Sequence, residues 1–85
     1  MESDATAIIE FILPEGNVDD DLEVPLKITA NDLILALNEI YHMDLETQNV
    51  SRYSLKMKYP LGIISGSKVL GKSGVRNGTV ITVEE

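Results

Sequence analysis

The chain has 85 residues, which suffices for one small domain and leaves no room for a second hydrophobic core. Its formal net charge of -7 at pH 7 argues against nucleic acid or an anionic membrane surface as the main partner. The absence of cysteine excludes disulfides and thiolate metal sites and fits a reducing cytoplasm.

The N-terminal segment, MESDATA, is acidic and polar, so it does not resemble a secretory signal peptide. No stretch of the sequence approaches the roughly 18 consecutive apolar residues that a membrane-spanning helix needs. We therefore expect a cytoplasmic protein without direct membrane insertion. It should fold as a single domain over residues 1–85, with residues 1–4 disordered.

Residues 5–13, ATAIIEFIL, predict a first β-strand, because apolar and β-branched residues dominate this stretch. Alternate residues of a strand point to opposite faces of the sheet. The two faces would carry Ile9, Phe11 and Leu13 on the inside, and Ile8, Glu10 and Ile12 on the outside.

A second strand is predicted over residues 22–28, LEVPLKI, after the turn-forming acidic stretch PEGNVDDD. Pro25 cannot donate a hydrogen bond to a ladder, so this strand should lie at an edge of the sheet. The two strands and the acidic tip between them form an N-terminal hairpin.

A helix is expected over about residues 30–43, because Thr29 and Asp32 have the spacing of a capping box. Its apolar face at helical spacing would consist of Leu33, Ala36, Leu37, Ile40, Tyr41 and Met43. Leu35 lies on the opposite face, among polar residues. The polar segment 44–53, DLETQNVSRY, predicts a loop.

The C-terminal half predicts three more strands. Residues 54–59, SLKMKY, alternate, with Leu55, Met57 and Tyr59 inward and Lys56 and Lys58 outward. A short strand at Ile63 and Ile64 follows Pro60. The turn at residues 75–78 then leads into a last strand over 79–83, with Ile81 and Val83 buried. The order is ββαβββ, an α+β fold with a mixed sheet packed on one helix.

Residues 66–73, GSKVLGKS, formally match the phosphate-binding loop of nucleotide hydrolases. Such a loop joins a buried strand to a helix whose N-terminal amides hold the phosphates. Here Ser73 is followed by Gly74, a turn and a strand, so no helix can begin there. We interpret the match as a coincidence within a strand and turn, and expect no cofactor.

No catalytic or metal-binding constellation emerges from the remaining polar residues. His42 is the only histidine and lies near the predicted end of the helix, which indicates an exposed or capping role. The acidic run 19–21 lacks the spacing and the glycine of a calcium loop, so a solvated hairpin tip is expected. Ser65 and Ser67 do not lie in a nucleophile elbow. We expect a protein that is not an enzyme.

The predicted order resembles the β-grasp arrangement of ubiquitin, most specifically in residues 66–70 and in GVRNGT followed by VITV. This resemblance implies that the helix packs on one face of the sheet and that the last strand lies beside the first. The implied core consists of Ile9, Phe11, Leu22, Val24, Leu26, Leu33, Leu37, Ile40, Leu55, Met57, Leu70, Val75, Ile81 and Val83.

Two segments, LPEGNVDDDLEVPLKITANDLILALNEIY and GVRNGTVITV, resemble the YukD/EsaB family of ubiquitin-like proteins. Those are small cytosolic accessory proteins of the type VII (ESX, WXG100-exporting) secretion system of Gram-positive bacteria. The resemblance implies an accessory or regulatory role through contact with another protein. The alternative is a ubiquitin-like modifier or sulfur carrier. It is disfavoured because the sequence ends in Glu84 and Glu85 and lacks a Gly-Gly tail.

Candidate contact residues lie on two surfaces. Ile8, Ile12 and Val80 should project from the outer face of the sheet, where they could form a small apolar patch. Scattered exposed aliphatic residues on a small sheet are the alternative. Lys56 and Lys58 should occupy the region of ubiquitin's main recognition patch, so ordinary ubiquitin receptors should not bind.

On the polar face of the helix, Leu35 is a second candidate, unless the 44–53 loop covers it. The expected partner is another protein, for which the family resemblance implies a type VII secretion component, and not nucleic acid. The chain itself should be a monomer or a weak homo-oligomer.

Overall fold

The structure is a computed structural model that describes residues 5–13, 16 and 19–85, without the side chains of Asp19 and Asp20. The expected disorder of residues 1–4 lies outside the described residues, as do residues 14, 15, 17 and 18 of the predicted hairpin tip. Within them, the strands are β1 (Thr6–Ile12), β2 (Asp19–Pro25), β3 (Ser54–Lys58), β4 (Gly62–Ser65) and β5 (Val80–Glu84), and the α-helix is α1 (Ala30–Tyr41).

The five described strands form one mixed sheet in the order β2-β1-β5-β3-β4. β1 pairs antiparallel with β2 and parallel with β5, where Glu10 lies opposite Val80. β3 pairs antiparallel with both β5 and β4. The predicted ββαβββ order is confirmed, and β2, which contains Pro25, lies at an edge as expected. The predicted bounds of this strand, 22–28, are wrong by three residues. β2 includes the acidic run 19–21, which was expected in the hairpin tip, and ends before Leu26.

Capping defines both ends of α1. The Asp32 amide donates to the Thr29 hydroxyl at 3.1 Å, and the Thr29 amide donates to the Asp32 carboxylate at 3.3 Å, which completes the predicted capping box. His42 adopts the left-handed conformation with φ 53° and caps the C-terminus of the helix, because its backbone amide donates a hydrogen bond to the Asn38 carbonyl. The helix therefore ends at Tyr41, two residues before the predicted end.

The predicted buried face of the helix is wrong by a rotation of roughly 60°, at about 100° per residue. The buried helical residues are Ala30, Leu33, Ile34 and Leu37. Ile40, which was expected in the core, is 58% exposed, and Ala36 is also exposed. Tyr41 and Met43 pack only partly against the core. The error arose because Ile34 and Ile40 flank Leu37 on opposite sides, so the apolar pattern alone allows either face.

The core lies between α1 and the inner face of the sheet. Most of the predicted core residues are buried, while Leu22 and Leu26 are only partly buried. The prediction missed five buried hydrophobic residues, Ala7, Ala30, Ile34, Tyr53 and Ile64, and the buried Thr79. The two alanines are buried, but the small, weakly apolar side chain of alanine does not mark a buried position in the sequence.

The segment 44–53 is not a simple loop, because it contains a short 3-10 helix, Thr47–Arg52. Tyr53 is buried immediately after it, and its hydroxyl accepts a 3.0 Å hydrogen bond from the Glu46 amide. Arg52 forms ion pairs with Glu46 and Glu85. The negative charge of Glu85 raises the pKa of the exposed Arg52 guanidinium, which therefore remains charged.

The prediction that the Tyr59 side chain faces the core is also wrong. β3 ends at Lys58, and Tyr59 adopts a left-handed conformation with φ 61°, so the alternation of the strand stops there. As a result the ring is 65% exposed.

A candidate protein-contact surface

The outer face of the sheet is the face opposite α1, and the strand register places its side chains in rows. Val80 on β5 lies between Glu10 on β1 and Lys58 on β3. In the next row, Lys56 lies between Thr82 on β5 and Ile63 on β4. Parallel pairing of β1 with β5 thus brings the beginning and the end of the sequence together beside β3.

A groove of about 220 Å³ crosses this outer face. We call it the outer-face groove, and its lining residues are Ile12, Lys56, Met57, Lys58, Val80, Thr82 and Glu84. Ile12 and Val80 are half-buried within it, whereas Lys56 and Lys58 are exposed. Four of the predicted contact residues therefore lie together in one concave feature of the structure.

The charges of the groove are only loosely engaged. Lys56 Nζ lies 3.6 Å from Glu84 Oε2, and both side chains are about half exposed. A surface pair of this kind contributes only about 0–1 kcal/mol, so a partner can replace either member at little cost. Lys58 forms no ion pair with the described residues. The groove thus combines two apolar side chains with two cations that remain accessible.

Ile8, another predicted contact residue, lies outside the groove. Its side chain is 51% exposed, but Glu10 separates it from Ile12 on the same face of β1. The Ile8 backbone is held by the 77–78 turn, since its amide donates to Asn77 Oδ1 at 2.7 Å and its carbonyl accepts from the Gly78 amide at 2.9 Å. Ile8 is therefore a rigidly placed, separate apolar point at the end of β1.

Leu35 lies on the helix, away from the outer face of the sheet. It is 38% exposed and lines an open depression of about 720 Å³ with Asn38, Glu39, His42, Asp44 and Thr47. The 44–53 segment borders this depression without covering Leu35. The structure therefore separates the predicted contact residues into a sheet surface and a helix surface.

Sequence reasoning missed three exposed apolar side chains around the β3–β4 turn. Tyr59, Leu61 and Ile63 are 65%, 81% and 67% exposed. The sequence could have indicated the exposure of Ile63. Consecutive residues of a strand point to opposite faces of the sheet, so only one of Ile63 and Ile64 can face the core. No signal marked Tyr59, since its exposure follows from the backbone conformation after Lys58.

The 66–73 segment uses its backbone amides within the protein. The Leu70 and Gly71 amides donate to the carbonyls of Ile28 and Leu26 at 3.0 and 2.8 Å, and the Ser73 hydroxyl donates to the Val69 carbonyl at 2.9 Å. Only a four-residue 3-10 helix, Leu70–Ser73, is present here. A phosphate loop presents free amides at the start of an α-helix. Here the amides of Lys68, Leu70, Gly71 and Lys72 are bonded to carbonyls of the protein, and the segment leads into no α-helix.

Over the described residues, no group of three or more His, Cys, Asp or Glu side chains is placed to hold a metal ion. The acidic tip considered as a cation site falls largely outside the described side chains. None of the helices in the described part of the chain is both long and apolar enough to span a membrane.

No protein-family model and no curated protein sequence matches the chain. Solved structures do match over almost its whole length. The ubiquitin-like domain of tubulin-binding cofactor B aligns with a TM-score of 0.74 and 19% identity, covering 95% of this chain and 90% of that one. The UBL domain of Plasmodium falciparum Dsk2 aligns with a TM-score of 0.61 and 17% identity, covering 94% and 100%.

A third match is the ubiquitin-like domain of the Mycobacterium tuberculosis type VII secretion system protein ECCD1. It has a TM-score of 0.58 and 17% identity, and covers 95% of this chain and 99% of that domain. At these identities the likeness establishes the fold. The chain has the ubiquitin-like β-grasp fold that its sequence predicted.

Proposed function

We propose that this protein is a non-catalytic protein-interaction module, and that it serves as a cytosolic accessory or regulatory component of a Gram-positive type VII (ESX/WXG100) secretion system. The observation that carries the proposal is the outer-face groove. In it, half-buried Ile12 and Val80 lie beside the accessible cations Lys56 and Lys58 on a sheet face that no described element covers.

The size and lining of the groove favour a protein over a small molecule as the partner. At about 220 Å³ it is smaller than the roughly 300–1,000 Å³ of typical small-molecule sites. Lysine side chains can lay their aliphatic stems along an apolar surface and keep their charge at the rim. An interface with an apolar centre and a charged rim is the usual organisation of a protein–protein contact.

Two likenesses support the secretion role. The hairpin–helix and closing-strand segments resemble the YukD/EsaB proteins in sequence. The fold also resembles the ubiquitin-like domain of a type VII secretion protein over nearly the full length of both chains. The fold is established, and the proposal concerns the partner: this domain contacts a component of the export apparatus.

The proposal can be tested in the bacterium that carries the gene, by deleting the gene and restoring it as variants. We expect deletion to change the amount of WXG100 protein in the culture medium, measured against its amount inside the cells. The wild-type gene should restore export, and the Ile12→Asp/Val80→Asp variant should not. A photoreactive residue at Thr82, within the groove, should crosslink to a component of the export apparatus.

The matched control is Ile40→Asp, which places the same charge on an exposed apolar residue of α1 that lines neither the groove nor the depression beside Leu35. Circular dichroism and thermal unfolding must show that both variants are folded. Normal WXG100 export in the deletion strain would contradict the secretion role. Full restoration of export by a folded Ile12→Asp/Val80→Asp variant would remove the groove from the proposal.

A further inference from the structure

Charge is divided unevenly along the sequence. Residues 47–83 contain six of the seven Lys and Arg residues and no acidic residue, while all fourteen Asp and Glu residues lie outside this range. The fold turns this division into two differently charged regions of the surface. Lys56 and Lys58 lie on β3, and three further cations lie between β4 and β5, whereas Asp21 and Glu23 lie on β2, at the far edge of the sheet.

An exposed apolar cluster lies within the cationic region. We define the hairpin patch as Tyr59, Leu61 and Ile63 together with Lys56 and Lys58. Ile63 lies directly opposite Lys56 in the β3–β4 ladder, and Tyr59 directly follows Lys58. All three apolar side chains are more than 60% exposed. The patch adjoins the outer-face groove, because the groove shares its two lysines.

The turn that carries the patch is held in place by contacts with residues of the 74–79 segment. The Thr79 hydroxyl, fully buried, donates a 2.7 Å hydrogen bond to the Tyr59 carbonyl. Pro60 packs so closely on Gly74 that a Cβ at Gly74 would lie 3.1 Å from Pro60 Cγ. A surface ordered before binding loses less conformational entropy when a partner docks, so these contacts favour recognition.

We propose that the hairpin patch binds an acidic segment of a partner protein that also carries aliphatic residues. This inference rests on the proposed function and names the chemistry of the partner. Acidic side chains of the segment pair with Lys56 and Lys58, and its aliphatic side chains cover Leu61 and Ile63. The Glu84 carboxylate competes for Lys56 only through an exposed 3.6 Å contact, which an acidic segment can replace at little cost.

A short segment fits this surface better than an anionic membrane. β2 and β3 are three strand spacings apart, which is about 14 Å, so a segment lying along β3 and β4 avoids the acidic edge. A flat anionic surface broad enough to meet the whole sheet face would also approach Asp21 and Glu23, and the chain has a net charge of -7. That repulsion opposes binding to a broad anionic surface more strongly than binding of a short segment along β3 and β4.

The test selects random 12-residue peptides, displayed on phage, against the folded wild-type domain. We expect the enriched peptides to contain Asp or Glu together with Leu, Ile or Val. A synthetic copy of the most enriched peptide should bind about tenfold or more weakly to Leu61→Ser/Ile63→Ser than to wild type, because both apolar contacts are lost. Its affinity should also fall as ionic strength rises, since the pairs are exposed.

Two matched controls accompany this measurement. Ile40→Ser removes an exposed isoleucine from α1 that lines neither candidate surface, and Lys68→Glu reverses an exposed cation outside the patch. Both should bind the peptide as wild type does, whereas Lys58→Glu should weaken binding several-fold. The substituted side chains are largely exposed, so thermal unfolding should show each variant to be folded.

Several outcomes would overturn the inference. These are an absence of enriched peptides, peptides without acidic residues, and binding that Leu61→Ser/Ile63→Ser leaves unchanged. Patch-dependent binding to phosphatidylserine vesicles in place of peptides would assign the patch to a membrane. Sedimentation could instead show that the domain associates with itself, in a salt-sensitive way that Leu61→Ser/Ile63→Ser abolishes. That result would assign the patch to a second copy of the chain. If only Ile12→Asp/Val80→Asp abolished peptide binding, the peptide would bind the groove. The role of the patch would then be refuted, and the proposed function would remain supported.

Discussion

The hydroxyl of Thr79 donates a 2.7 Å hydrogen bond to the carbonyl of Tyr59, twenty residues earlier in the chain. The same hydroxyl accepts a 3.0 Å bond from the Arg76 amide. One fully buried side chain therefore joins the β3–β4 turn to the 75–79 turn that precedes β5. These two turns border the hairpin patch, so the position of the patch depends on a contact beneath the surface.

Replacing Thr79 with valine tests this connection. Thr79→Val keeps the shape of the side chain and leaves the Tyr59 carbonyl and the Arg76 amide without their partner. We expect the free energy of unfolding, measured with urea, to fall by about 1–3 kcal/mol. Thr79→Ser keeps the hydroxyl and loses one methyl group, which should cost about 0.8 kcal/mol. Equal stability of Thr79→Val and wild type would show that the two bonds contribute nothing net.

The Asn77 side chain secures the first strand to the last turn. Asn77→Ala removes the acceptor of the 2.7 Å bond from the Ile8 amide, and should lower the free energy of unfolding by about 0.5–1.5 kcal/mol. The Ile8 amide should also exchange its hydrogen with solvent faster, as measured by NMR. Asn77→Asp keeps an acceptor oxygen at this position and should retain most of the protection. Unchanged exchange at Ile8 in the alanine variant would refute the role of the side chain.

The capping box of α1 gives a prediction at the start of the helix. Thr29→Ala leaves the Asp32 amide without its side-chain acceptor, and should cost about 1 kcal/mol in the free energy of unfolding. Thr29→Ser preserves the hydroxyl and should cost less. The difference between the two variants, measured by chemical denaturation, isolates the cap. If serine and alanine destabilise the domain equally, the hydroxyl is not the stabilising group.

The orientation of the helix predicts opposite results for two isoleucines. Ile34 is fully buried and Ile40 is 58% exposed. Ile34→Ala should therefore destabilise the domain by about 2–5 kcal/mol, because it leaves a cavity in the core. Ile40→Ala should change the stability by less than about 1 kcal/mol. Thermal or urea unfolding measures the stability of the two variants. A larger loss of stability in Ile40→Ala than in Ile34→Ala would mean that the helix packs on the face that its sequence pattern indicated.

Much of the fold followed from local patterns. Alternation across residues 54–58 and 80–83 placed the inward and outward side chains of β3 and β5 correctly, because the pleat of a strand leaves no other choice. The start of α1 followed from Thr29 and Asp32, since capping depends only on residues close in sequence. Pro25 indicated an edge strand because it lacks an amide donor. These features depend on neighbours in the chain, so the sequence by itself determined them.

The tertiary structure decided the features that depend on contacts between distant residues. Ile34 and Ile40 have the same chemistry, and only the crossing of α1 over the sheet buried the first and exposed the second. Tyr59 continued an alternating pattern, yet its backbone turned away where Thr79 binds its carbonyl. The outer-face groove requires Ile12 and Val80 on paired strands nearly seventy residues apart. Packing and long-range hydrogen bonds choose among patterns that are locally equivalent, so these choices cannot be read from local sequence.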